Sequence, residues 1–118
     1  MPIALTIYHN PGCSKSRKTL ELIREHGIEP RIIEYLREPP PPATTLRLAK
    51  MLGVPVADLL RTGDGNETDE TLSLNDGALA SWLQDHPAAL QRPIVVDETS
   101  ARAVIGRPPE TVLKLLIA

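Results

Sequence analysis

Apolar positions cluster at the start of the chain in two different rhythms. Ile3 to Tyr8 is a short, nearly continuous apolar run rich in branched residues, which predicts a buried strand. The turn formers His9-Asn10-Pro11-Gly12 interrupt it, and a polar-to-amphipathic stretch then runs to His26. Leu20 and Ile23, with Leu22 on a neighbouring face, supply the apolar side of a helix expected to begin near Cys13, and Gly27 is a good helix stop. Arg31 to Leu36 is again branched and imperfectly alternating, a second strand. Strand, helix and strand in this order predict a parallel βαβ unit.

Pro39 to Pro42 follow as a stiff, extended spacer, because each proline holds φ and lacks a backbone donor. Leu46, Leu48, Met51 and Leu52 predict a helix ended by Gly53, and Val56 to Arg61 a short second one, both as cover for the sheet. Gly63 to Glu70 is polar and acidic and reads as a mobile loop. Its Asp64 and Asn66 fall at calcium-loop offsets, but Asp69 stands where the turn needs Gly and Asn75 where a bidentate Glu belongs, so no calcium site is expected. Asn75 or Asp76 caps a helix carrying Ala78, Leu79, Trp82 and Leu83 and ending before Pro87, with Trp82 expected in the core. Pro93 to Val96 and Arg102 to Ile105 predict an antiparallel hairpin, and Pro108 or Pro109 to Ile117 a closing helix. The fold class expected is therefore α/β: a thioredoxin-like fold with a four-stranded mixed sheet, βαβ then ββα, with intervening helices, in one domain over residues 1–118.

Composition narrows the function classes. The net charge of −2 over 118 residues offers no basic footprint for neutralising phosphates, so nucleic acid is not an expected partner. No apolar run approaches the roughly 18 residues of a membrane span, and the polar Tyr8-His9-Asn10 comes too soon for a signal peptide. A cytoplasmic protein, most simply a monomer, is expected. Metal-ligand spacing is absent from the His, Cys, Asp and Glu positions, so no metal is expected. His26, near a helix end, and His86, before Pro87, read as structural.

The single cysteine carries the chemistry. Cys13 stands among the small or polar Gly12, Ser14, Lys15 and Ser16, in the strand-end loop before a helix, where α/β sheets hold ligands and anions. A thiol attacks as thiolate, and the helix N-terminus, Arg17 one turn on, Lys15 and His9 all favour that form. Three residues separate Cys13 from Arg17, whereas tyrosine-phosphatase loops use five, and Ser16 stands where a Cys-x-x-Cys redox pair would have its second cysteine. Any disulfide of Cys13 must therefore use an external thiol such as glutathione.

Ile7-Tyr8-His9-Asn10-Pro11-Gly12-Cys13, Ser16-Arg17 and Thr19-Leu20 resemble the catalytic segment of the glutaredoxin-dependent arsenate reductase family. The resemblance recurs at Leu59-Leu60-Arg61, Arg92-Pro93-Ile94-Val95-Val96 and Ile105-Gly106-Arg107-Pro108-Pro109-Glu110, and so spans nearly the whole chain. It implies Cys13 as nucleophile, His9 as an aid to its ionisation, and Arg61, Arg92 and Arg107 as a cage for arsenate, with Asn10, Ser14, Lys15, Ser16 and Arg17 as further oxyanion contacts. Pro93 would be the cis-proline of thioredoxin-like folds. Arsenate would be reduced through a Cys13 thioarsenate, with glutathione as co-substrate, glutaredoxin as partner and no tightly bound cofactor. Arginine suits the cage because its planar fork stays ionised and donates two parallel hydrogen bonds. Ser14-Lys15 stands where the established reductases carry Gly-Thr, and the chain stops at Ala118 without their longer tail, so it looks closer to a branch of short relatives. Two other activities fit the same resemblance: an Spx-like regulator that binds RNA polymerase, or a general glutathione-dependent thiol-disulfide reductase.

Overall fold

Strand β1, Leu5–His9, ends one residue beyond the apolar run and is buried along its whole length. The reason is its central place in the sheet of the computed structural model, which describes residues 4–60, 73–90 and 93–116. It pairs in parallel with β2, Arg31–Glu34, and antiparallel with β3, Ile94–Asp97, which pairs antiparallel with β4, Arg102–Ile105. The order is β2-β1-β3-β4. A strand with neighbours on both sides needs no polar edge. The expected βαβ unit, antiparallel hairpin and mixed four-stranded sheet are thus present, and the fold is thioredoxin-like.

Helix α1, Ser14–Glu25, connects β1 to β2 and buries Ser16, Thr19, Leu20 and Ile23. These positions follow the i, i+3, i+4, i+7 rhythm of one helix face. Leu20 and Ile23 pack with Leu5, Ile7, Val95, Val112 and Leu115 into the main apolar core, each such side chain stabilising the fold by about 1.5–3 kcal/mol. The helix stops at Gly27, whose φ of 77° suits glycine, with Gly27 N–H donating to Arg24 O (2.9 Å) and Ile28 N–H to Ile23 O (3.4 Å). Beyond β4, a 3-10 turn at Pro109–Val112 leads into α4, Leu113–Leu116, where the sequence predicts one continuous helix.

The chain forms two compact units, residues 1–35 with 92–118, and residues 36–91. The second contains α2, Pro42–Leu52, a 3-10 turn at Val56–Leu59, α3, Asp76–Asp85, and a 3-10 turn at Pro87–Ala89. Pro42 opens α2 rather than closing the spacer, because the first helical turn has no use for its missing N–H. Helix α2 packs on α3, and Leu48, Ala49, Val56, Leu59, Leu79, Ala80 and Leu83 are buried. Leu46, on the predicted apolar face of α2, is exposed instead. Trp82 is also a correction: it is half-buried and stacks on His86 at 4.1 Å between ring centroids, which covers its face at the surface. The acidic loop predicted at Gly63 to Glu70 lies outside the described residues. Among the described residues no helix is long and apolar enough to cross a membrane.

Candidate active site

The period of two along β1 sends Leu5, Ile7 and His9 to one face of the sheet, the face that α1 covers. His9, the last residue of the strand, is buried there, and its Nδ1 lies 2.6 Å from Ser16 Oγ in the first turns of α1. The same hydroxyl accepts from Asn10 N–H at 3.0 Å. The hydroxyl thus joins the imidazole at the end of β1 to the backbone of the loop. Burial pushes the His9 pKa below its ordinary value; Glu34, beside it on β2, opposes this, while Arg24 and Arg17 add to it. The neutral imidazole is therefore favoured at neutral pH. Through Ser16, His9 ties the end of β1 to the start of α1.

Between these anchors the loop is closed by its own backbone and by two side chains. Cys13 N–H donates to Asn10 O (3.0 Å), Gly12 N–H to Asn10 Oδ1 (2.9 Å), and Arg17 Nη1 to Pro11 O (2.8 Å). These bonds place Cys13 at the N-cap of α1 with φ −102° and ψ 123°, partly exposed. Its backbone carbonyl accepts from Arg17 N–H at 3.0 Å, but its side chain takes no capping hydrogen bond from the helix. The positive end of the helix dipole thus faces a position occupied by sulfur, where it favours negative charge. No acidic residue stands in the first turn to offset that field, and Lys15 and Arg17 add positive charge to it.

The candidate oxyanion contacts divide accordingly. Ser14, Lys15 and Arg17 are exposed and Asn10 partly so. Ser16 is fully buried and its hydroxyl is engaged by His9 and Asn10 N–H, so it serves the loop from within. Arg107 is exposed just beyond β4. Gly106, before it, is buried, and its N–H donates to Pro93 O at 2.8 Å, which ties the two strand ends together. Arg61 and Arg92 lie outside the described residues, and with Arg92 the Arg92–Pro93 peptide bond expected to be cis. A cis bond is found at Arg107–Pro108. His26 Nδ1 lies 2.9 Å from Leu22 O and His86 Nδ1 2.8 Å from Trp82 O, each the carbonyl one turn earlier. Among the described residues no group of three His, Cys, Asp or Glu side chains could hold a metal ion.

Thr19 and Gly106 stand in the segments that carry the resemblance, but sequence reasoning gave them no role of their own. Thr19 is fully buried on the same stripe of α1 as Ser16, and its Oγ1 donates to Lys15 O at 2.8 Å. The available signal was two small polar residues at helical spacing immediately ahead of an apolar pair, on the side of the helix that must face the sheet.

The chain that carries this loop is similar over most of its length to known proteins. The chain is 45% identical over 114 residues to the uncharacterized protein YfgD of Escherichia coli K12, covering 93% of this chain and 94% of that one. It is 42% identical over 117 residues to an arsenate reductase of the same organism, covering 95% and 80% of the two chains. The solved structure of an arsenate reductase from Vibrio cholerae superposes with a TM-score of 0.87 at 39% identity, covering 97% of this chain and 98% of that one. The model of the ArsC family matches residues 8–115, from the end of β1 to the last helix, and the chain belongs to that family.

Proposed function

We propose that the protein reduces arsenate to arsenite with Cys13 as nucleophile. The observation that carries this is the placing of Cys13: the N-cap of α1, partly exposed, in a loop locked by His9, Ser16, Asn10 and Arg17. Its likeness to arsenate reductases over nearly its whole length supports the choice of substrate. The Cys13 thiolate attacks arsenic, an As–O bond breaks with the oxygen leaving as water after protonation, and a thioarsenate forms. A glutathione thiolate then attacks the Cys13 sulfur. The S–As electron pair passes to arsenic, which departs as arsenite, and the Cys13–glutathione disulfide remains for glutaredoxin to reduce.

An anion approaching an anion needs fixed positive charge, preorganised where the oxygens bind. Arg61, Arg92 and Arg107 are assigned that work, with the exposed Lys15 and the N–H groups of the first turn beside the sulfur. His9 and Ser16 are assigned positioning, because both are buried and bonded to each other.

The test is a coupled assay of arsenite formation with arsenate, glutathione and glutaredoxin. The wild type is expected to turn over and Cys13→Ser to fall to background. Arg107→Gln is expected to lower kcat/KM about 10- to 100-fold, the loss of one charge-assisted contact. A wild type that makes no arsenite above the reagents alone would overturn the reading; disulfide turnover without arsenite would replace it with general thiol-disulfide reduction.

A further inference from the structure

We propose that Gly106 is a positioning residue for oxyanion binding: its missing side chain lets the end of β4 close onto Thr19 and Pro93, and this fixes where Arg107 leaves the sheet. The inference rests on the oxyanion reading above and adds residues to it.

A Cβ at position 106 would stand 2.6 Å from Thr19 Oγ1, 2.8 Å from Pro93 Cγ and 3.2 Å from Thr19 Cγ2. The first two are shorter than real Cβ contacts, so any side chain there must move something. Conformation is not what requires glycine, since only Gly27 and Gly53 among the described glycines have positive φ. Space is.

Neither neighbour yields easily. Thr19 is fully buried, and its Oγ1 is bonded to the carbonyl of Lys15, two residues from Cys13. Pro93 is buried and accepts from Gly106 N–H at 2.8 Å, one step before Ile94 pairs with Ile105. The contact joins three pieces of chain: the helix that Cys13 caps, the residue after Arg92 and the residue before Arg107. A displacement imposed at Gly106 is blocked by the paired strands on one side, so it passes to Arg107 on the other.

The experiment measures how fast iodoacetamide, a neutral reagent, alkylates Cys13, with and without arsenate. Arsenate is expected to protect the wild type. Gly106→Ala is expected to keep the unprotected rate within about twofold, because the displacement passes to Arg107 rather than into α1, while the arsenate concentration for half protection rises about tenfold, as for a displaced charge-assisted contact. Adding Thr19→Ala to Gly106→Ala, which removes two of the three obstructing atoms, should recover most of that loss, the coupling expected of residues in contact. Unchanged protection in folded Gly106→Ala overturns the proposal, and so does a loss that Thr19→Ala fails to relieve. If Gly106→Ala does not fold, Thr19→Ala alone loosens the same contact and should weaken protection; no change there also overturns it. A wild type that arsenate does not protect fails at the earlier step, and sinks the oxyanion reading together with this one.

Discussion

Helices α1 and α3 both begin from an N-cap with extended backbone and use it for opposite ends. At α3 the N-cap is Asn75, whose Oδ1 accepts from Ala78 N–H at 2.8 Å, and Asp76 in the first turn complements the helix dipole. At α1 the N-cap is Cys13, whose side chain makes no capping bond, and the charged residues of the first turn are Lys15 and Arg17. One terminus is satisfied by its own sequence. The other is left electropositive and is held in place by other means: the His9–Ser16 bond, the Asn10 bonds and the Arg17 clamp on Pro11. The difference shows what a reactive terminus requires. Local stability is given up at the cap, and support comes from behind, through buried polar contacts to the end of β1.

The sharpest way to break the comparison is to give α1 the cap of α3. Cys13→Asn should remove arsenite formation altogether in the coupled assay, yet raise unfolding free energy by about 1 kcal/mol, since an extended N-cap with a side-chain acceptor stabilises a helix. Urea denaturation checks the second half. A Cys13→Asn protein less stable than wild type would mean that the α1 terminus is not short of a cap. The reciprocal change is smaller in its effect: Asn75→Ala should cost about 1 kcal/mol of stability and leave the alkylation rate of Cys13 unaltered. The smallest effect concerns the support. His9 has its pKa lowered by burial, so its neutral form is the one that the fold prefers. The stability it contributes is complete above the ordinary histidine value of 6.5 and is lost as pH falls below that toward the folded value. His9→Asn does not titrate, so the stability difference between wild type and this variant should narrow from pH 8 to pH 5 in paired urea titrations. A difference that widens on acidification would mean that the imidazole is favoured as a cation.

The order of strands and helices was legible in the pattern of residues, because each element carries its own period and its own stop. Gly27 and Gly53 end helices through a local φ requirement, Asn75 caps one through its own side chain, and the β3–β4 hairpin follows from two branched runs a few residues apart. Where Pro42, Leu46 and Trp82 departed from expectation, the deciding factor was a neighbour or a helix position that periodicity does not encode.

The chemistry divides the same way. That Cys13 caps a helix behind a strand-end loop could be read along the chain, since every residue that makes it so lies within a few positions of it. That Ser16 would be engaged by His9, that burial would lower the pKa of the imidazole, and that Gly106 would be pressed against Thr19 could not. Those facts depend on which faces of β1, β4 and α1 meet, and only packing determines what burial does to a titrating ring or whether a methyl group has room.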